Sequence, residues 1–147
     1  MLVYNYMENN SLAQTLFGNS HSRIRLDWRM RVKICIGVAD GFTYLHEEVR
    51  PPIVHCDIKT SNIVLERNLR PKTADFGLAK FFPSNMTHQH HGLQGRCIYL
   101  APEYAIRGQL TKMADVYSFG VLLLEIVSGR CGDATLIPDY LVMSNSY

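Results

Sequence analysis

Asp57, Lys59, Asn62 and Asp75 are the residues of this chain whose types and spacing could do chemistry. The first three share one short stretch, His55-Cys56-Asp57-Ile58-Lys59-Thr60-Ser61-Asn62, of the form H-x-D-x-K-x-x-N. Asp75 follows eighteen positions after Asp57 and opens Asp75-Phe76-Gly77, with Ala101-Pro102-Glu103 further on. Carboxylates exchange protons, an ammonium group meets anions, and carboxylate and amide oxygens suit hard cations such as Mg²⁺. A lone tripeptide would be near noise. Three spaced blocks in this order argue against an ordinary hairpin with scattered surface charges.

These side chains need elements to hold them. Asp57 and Asn62 sit on one loop, so their relative geometry is local. Asp75 must return across a hairpin: Ile63-Val64-Leu65 and Lys72-Thr73-Ala74 are short β-like runs around the turn Arg67-Asn68-Leu69-Arg70-Pro71. Upstream, Leu2 to Met7 reads as the end of a strand, and Asn9-Asn10-Ser11 as a turn that caps a short helix from Leu12. Asp27 caps a long helix from Trp28 to about Glu47, with Trp28, Val32, Cys35, Ala39, Phe42 and Leu45 as its core stripe. Pro51-Pro52 ends it. After Gly77 the chain reads as loop until Pro102, and a second helix, from about Lys112 to Ser128, is apolar nearly all round. That composition predicts burial at a domain centre, with Gly129 as the stop.

The three blocks make up the catalytic half of the protein-kinase signature set, and the chain resembles part of a protein kinase. Leu2-Val3-Tyr4 with Tyr6-Met7, Leu26-Asp27-Trp28 with Arg31, Tyr44-Leu45-His46-Glu47-Glu48, and the run from Asp115 to Ile126 resemble plant receptor-like serine/threonine kinases. The resemblance runs from Met1 to about Gly129 and implies a mainly α fold: the C-terminal lobe of the kinase fold with a small β-hairpin, residues 130–147 forming a divergent, poorly packed tail. It implies phosphoryl transfer from Mg-ATP to a protein Ser or Thr, with Asp57 accepting the hydroxyl proton and Lys59 reaching the transferring phosphate. Asn62 and Asp75 would hold Mg²⁺. Tyr4 would be the gatekeeper, Asn5, Tyr6 and Met7 the adenine-pairing hinge, and Val64 would lie under the ring. Asp115 would hold the catalytic loop's backbone, and His55 would be a packed strut rather than a base.

Composition narrows the partners. The 147 residues suit one domain, and a net charge of +2 is too small a bias to argue for nucleic acid or a membrane surface. Cys35, Cys56, Cys97 and Cys131 have no C-x-x-C or zinc spacing, so a reduced, cytoplasmic chain is expected. The apolar run from Val116 to Val127 is far short of a membrane span. Protein substrates or a partner kinase are the partners the resemblance implies. His88, His90 and His91 sit on one loop without fixed geometry and read as solvated side chains rather than a metal site.

The chain also departs from the family. Nothing upstream of Tyr4 has room for the Gly-rich loop, the phosphate-gripping lysine or its glutamate, so the N-terminal lobe is expected to be absent. The arginine that pairs with Glu103 in the family would lie beyond residue 147. Cys56 replaces the arginine that receives a loop phosphate, and Asp57 beside it should discourage a thiolate; Arg96 and Ile98 replace a threonine and a glycine. Competing with a kinase lobe that is inactive alone are a non-catalytic, pseudokinase-like interaction module and a gene remnant. With only the floor of a nucleotide pocket, each contact is exposed to water and weakened. Calorimetry of the 147-residue chain should show Mg-ATP binding only weakly, with Asp75→Ala changing little. A dissociation constant near the low micromolar range, about −8 kcal/mol, would overturn that expectation.

Overall fold

Side-chain caps start the helices that frame the loop from His55 to Asn62. The computed structural model describes residues 9–18, 24–82, 89–90 and 99–131. Tyr4, the hinge residues Asn5, Tyr6 and Met7, and His88, His91, Arg96 and Ile98 lie outside them, as does the segment 132–147. The Ser11 hydroxyl accepts from the Gln14 amide at 3.3 Å and opens α1 (Leu12–Phe17). Asp27 accepts from the Met30 amide at 2.8 Å and opens α2 (Trp28–Thr43), which runs on through a wide turn at Tyr44–Glu48. Thr111 caps α4 (Lys112–Ser128), and Gly129, with φ 67°, closes it.

The strands are short and antiparallel. β2 (Ile63–Leu65) pairs with β3 (Pro71–Thr73), Ile63 opposite Thr73, which is the expected hairpin shifted by one residue on its second strand. β1 (Ile53–Val54) pairs with β4 (Lys80–Phe81), and β5 (Gln89–His90) pairs with β6 (Gln109–Leu110). Among its described residues, the stretch read as loop between Gly77 and Pro102 therefore holds two strands, and His90 belongs to one of them. Two-residue strands have too little periodicity to show in sequence. A short helix, α3 (Pro102–Arg107), precedes β6.

Two corrections concern which faces are buried. In α2 the core residues are Ile34, Val38 and Phe42, continued by Leu45, against α1, the hairpin and α4. Trp28 and Val32 are exposed, and Cys35 is only half-buried. Phe42 and Leu45 of the expected stripe are core, but in the first half of the helix Ile34 and Val38 take the places expected for Trp28 and Val32. Gly37 lets the hairpin come close: a Cβ there would stand 2.7 Å from the Pro71 ring. In α4 the inward face carries Asp115, Ser118 and Glu125 among Ala114, Leu122 and Ile126, while Met113, Val116, Leu124 and Val127 are exposed. The inward face therefore mixes polar and apolar groups, while the outward face keeps several apolar ones, unlike an ordinary surface helix.

Each inward polar group has partners. The Ser118 hydroxyl reaches the carbonyls of Ala114 and Tyr99 at 2.9 and 2.5 Å. The Tyr99 hydroxyl donates to Glu125 at 2.5 Å, and burial together with that carboxylate pushes its pKa up. Asp115, 1% exposed, accepts from the His46 ring Nε2 (2.8 Å) and from the backbone N–H groups of His55 (2.8 Å) and Cys56 (3.0 Å). Lys112 adds a bond to the His46 carbonyl at 2.6 Å. At the far end of the helix pair, Arg31 donates to the carbonyls of Ile126 and Leu26. Thus α2 and α4 run antiparallel with a polar clamp at each end.

Replacing Asp115 with Ala leaves three donors without their acceptor, and should cost on the order of 3–5 kcal/mol. That is a large share of the roughly 5–15 kcal/mol a domain commands. Urea unfolding of the variant against the parent checks this. A loss under about 1 kcal/mol would mean that water substitutes for the carboxylate.

Candidate active site

The chain between β1 and β2 is held at both ends. Asp115 fixes the amides of His55 and Cys56, and Cys56 adopts φ 67°, a left-handed conformation that costs a non-glycine residue about 1–2 kcal/mol. That turn leads the chain into Asp57. The Asp57 amide donates to His55 Nδ1 at 3.3 Å, while His55 Nε2 donates to the Ala74 carbonyl at 3.2 Å. Both contacts suit the neutral ring protonated on Nε2. Burial holds the His55 pKa below its ordinary value despite the opposing charges of Asp115, Asp57 and Asp75.

Asp57 Oδ2 accepts from Lys59 Nζ at 2.6 Å and from Asn62 Nδ2 at 2.8 Å; the same amide also donates to the Asp57 carbonyl at 2.9 Å. The Asp57 side chain is 9% exposed and that of Lys59 22%. A single turn at Thr60–Asn62 makes this possible by folding Asn62 back over Asp57. With Nδ2 committed to Asp57, the Asn62 amide turns its oxygen away from Asp57.

Asp75 arrives by the hairpin. The Ala74 amide donates to the Asn62 carbonyl at 2.8 Å, which ties the end of β3 to the start of β2. Asp75 itself is left-handed, with φ 61°, and exposed; one of its oxygens accepts from the Gly77 amide at 3.3 Å. Next to it, the Phe76 ring meets His55 edge-on at 4.8 Å, His55 meets Phe42 at 6.5 Å, and Phe42 meets Phe119 at 5.8 Å. A file of rings thus runs from the loop after the hairpin into α2 and α4. The Ala74–Asn62 backbone bond makes Asp75 a near neighbour of Asn62 across the hairpin, and an amide oxygen and a carboxylate are hard donors of the kind Mg²⁺ takes.

The structure therefore brings Asp57, Lys59, Asn62 and Asp75 to one edge of the molecule. Val64 is half-buried on β2, bridged to Ser11. Cys56 has its thiol pKa pushed up to about 12, first by burial and then by Asp115, with Asp57 a smaller contributor than sequence adjacency suggests. Glu103 is half-buried. Sequence reasoning missed three supports. The Asn9 side chain donates to the Glu66 and Arg67 carbonyls at 2.6 and 3.2 Å, tying the segment before α1 to the hairpin. Arg31 and His46 clamp α2 to α4, although both stand within stretches already singled out by resemblance. Among the described residues there is no cluster of three or more His, Cys, Asp or Glu that could hold a metal, and no helix is long and apolar enough to cross a membrane.

Comparison with known proteins agrees with this geometry. The family model for protein tyrosine and serine/threonine kinases matches residues 1–141. Cold-responsive protein kinase 1 of Arabidopsis thaliana is 58% identical over 140 residues, covering 94% of this chain and 36% of that protein. Two probable leucine-rich-repeat receptor-like serine/threonine-protein kinases of the same plant are 57% and 56% identical, covering 88% of this chain and 14% and 13% of theirs. The chain thus spans about a third or less of the length of these curated relatives. A match over most of its length makes it a member of the protein tyrosine and serine/threonine kinase family, on the side of the plant receptor-like serine/threonine kinases.

Proposed function

We propose that this chain supplies the phosphoryl-transfer face of a serine/threonine protein kinase acting on protein substrates in the cytoplasm. The observation that carries the reading is the convergence of Lys59 and Asn62 on one oxygen of Asp57, with Asp75 delivered beside Asn62. Asp57, held by its neighbours, is the acceptor for a substrate hydroxyl proton. Lys59 lies one hydrogen bond away, where its ammonium group offsets negative charge gathering on the transferred group. Asn62 and Asp75 are the residues that would hold Mg²⁺, and Val64 belongs to the floor under the nucleotide. Mg-ATP, when bound, brings the phosphoryl group and the divalent charge. Preorganisation comes from the chain itself: the Asp115 bonds, the neutral His55 strut and the hairpin tie place these groups before any substrate arrives.

The thiol at Cys56 cannot receive a phosphate as an arginine does. With its pKa near 12 it stays a neutral thiol, bonded to the Val54 carbonyl at 3.5 Å. The reading therefore includes no phosphate-sensing role for position 56.

A chimera joining the N-terminal lobe of a related receptor-like kinase at Leu2 tests the assignment. It should phosphorylate a Ser or Thr peptide, lose at least about a hundredfold in rate with Asp57→Asn, and lose its Mg²⁺ response with Asp75→Ala. Equal rates for the parent chimera and Asp57→Asn would remove Asp57 from the chemistry. His55 adds a pH test on the chain itself. Its folded-state pKa lies below the ordinary 6.5, so the unfolded chain takes up the proton more readily. The stability gained by keeping it neutral is complete above about pH 6.5 and is lost as the pH falls below that value. The urea midpoint should drop on acidification, and less steeply in a His55→Gln variant. Parallel slopes would show that other groups control the acid limb.

A further inference from the structure

We propose that Asn9 is a positioning residue of the phosphoryl-transfer site: it sets the tilt of the β2–β3 hairpin, and with it the approach of Val64 and Asp75 to Asp57. This rests on the kinase reading, in which Val64 belongs to the floor under the nucleotide and Asp75 holds Mg²⁺. Strands of three residues make a hairpin too short to hold itself in water. Its open end is fixed by directed bonds, from the Ala74 amide to the Asn62 carbonyl at 2.8 Å and from His55 Nε2 to the Ala74 carbonyl at 3.2 Å. Its middle is fixed in depth, because Ile63 and Leu65 are fully buried and the Pro71 ring lies against Gly37 of α2. Apolar contact is non-directional, so it sets depth without setting tilt. The closed end lies about 13 Å from Asn62 at the rise of a strand. There the turn exposes Arg67, Asn68 and Arg70.

Asn9 holds that closed end. Both hydrogens of its side-chain nitrogen are used, on the carbonyls of Glu66 (2.6 Å) and Arg67 (3.2 Å), the first two residues after β2. Its backbone amide donates to the Leu65 carbonyl at 3.4 Å, and the Leu65 amide donates to the Asn10 carbonyl at 3.0 Å. Ser11 bridges Val64, so residues 9–11 run antiparallel beside β2 as a third line of chain. Asn10, left-handed at φ 56°, makes the bend toward α1. The Asn9 carbonyl accepts from the buried Thr15 hydroxyl of α1 at 3.3 Å, and α1 is anchored in the core by Leu12 and Leu16. One residue thus connects a core helix to the far end of the hairpin. The amide is specific to this task, since a carboxylate of the same shape would set acceptors against two carbonyls. Asp57 itself hangs on the loop fixed by Asp115. A hairpin that swings therefore leaves the proton acceptor in place and displaces the nucleotide and metal side of the site.

Amide hydrogen exchange on the 147-residue chain tests this without any kinase activity, comparing the parent with Asn9→Asp and Asn9→Ala. Exchange should quicken at Leu65, Glu66 and Leu69, and at Ala74, at the opposite end of the hairpin, by about tenfold or more. The amides of His55 and Cys56, which bind Asp115, should keep the parent rate. If circular dichroism shows Asn9→Asp unfolded, Asn9→Ala decides. Quickening confined to the turn makes Asn9 a local tie and overturns the proposal. Equal quickening at all these amides, as from a general loss of stability, or no change at all, overturns it too. In a chimera with the N-terminal lobe of a related receptor-like kinase, Asn9→Ala should raise the KM for Mg-ATP several-fold and hold kcat within about twofold. The opposite split, or none, counts against Asn9 as well. A parent chimera without activity sinks the kinase reading instead, and leaves the exchange rates to decide whether Asn9 sets the hairpin.

Discussion

One buried carboxylate organises this molecule. Asp115 gathers a ring nitrogen from the end of α2 and two backbone amides from the loop that carries Asp57, and so joins the helix pair to the chemistry. A charge this deep is tolerable because its oxygens are matched by donors, three of them in fixed positions. The two amide bonds also hold Cys56 in its left-handed turn, a conformation the residue would not keep in isolation. Without the carboxylate the loop that carries Asp57 loses two of its fixed amides.

The sequence was most informative where chemistry and local geometry coincide. Ser11 and Asp27 could be read as caps because a side-chain oxygen three residues before an amide is a purely local arrangement. The hairpin was visible for the same reason, since the turn between Leu65 and Pro71 is short. The spacing of Asp57, Lys59 and Asn62 is likewise local, and the structure draws them together within one turn. What escaped was long-range. Nothing in the neighbourhood of His46 announces a partner 69 residues away, nor does Arg31 announce the carbonyl of Ile126. Hydropathy misjudged α4 because a helix apolar nearly all round gives no sign of which arc faces out, and Met113, Val116, Leu124 and Val127 are exposed. It misjudged the first half of α2, where only the tertiary neighbours choose Ile34 and Val38 over Trp28 and Val32.

The division of labour between the two long helices follows from these facts. α2 contributes bulk, through Ile34, Val38 and Phe42, and a row of rings that ends on Phe76. α4 contributes directed bonds from Asp115, Ser118 and Glu125, which specify position more sharply than apolar contact does. The loop from His55 to Asn62 is thus supported by packing on one side and by hydrogen bonds on the other.

The crowding of Asp57 Oδ2 has a stereochemical consequence. Lys59 and Asn62 both occupy that oxygen, so the two oxygens of the carboxylate are no longer equivalent. Under the proposed role of Asp57, a hydroxyl giving up its proton there would meet Oδ1, which neither of these neighbours uses. The symmetry of the group is broken by the loop before any substrate arrives, and with it the choice of side is settled.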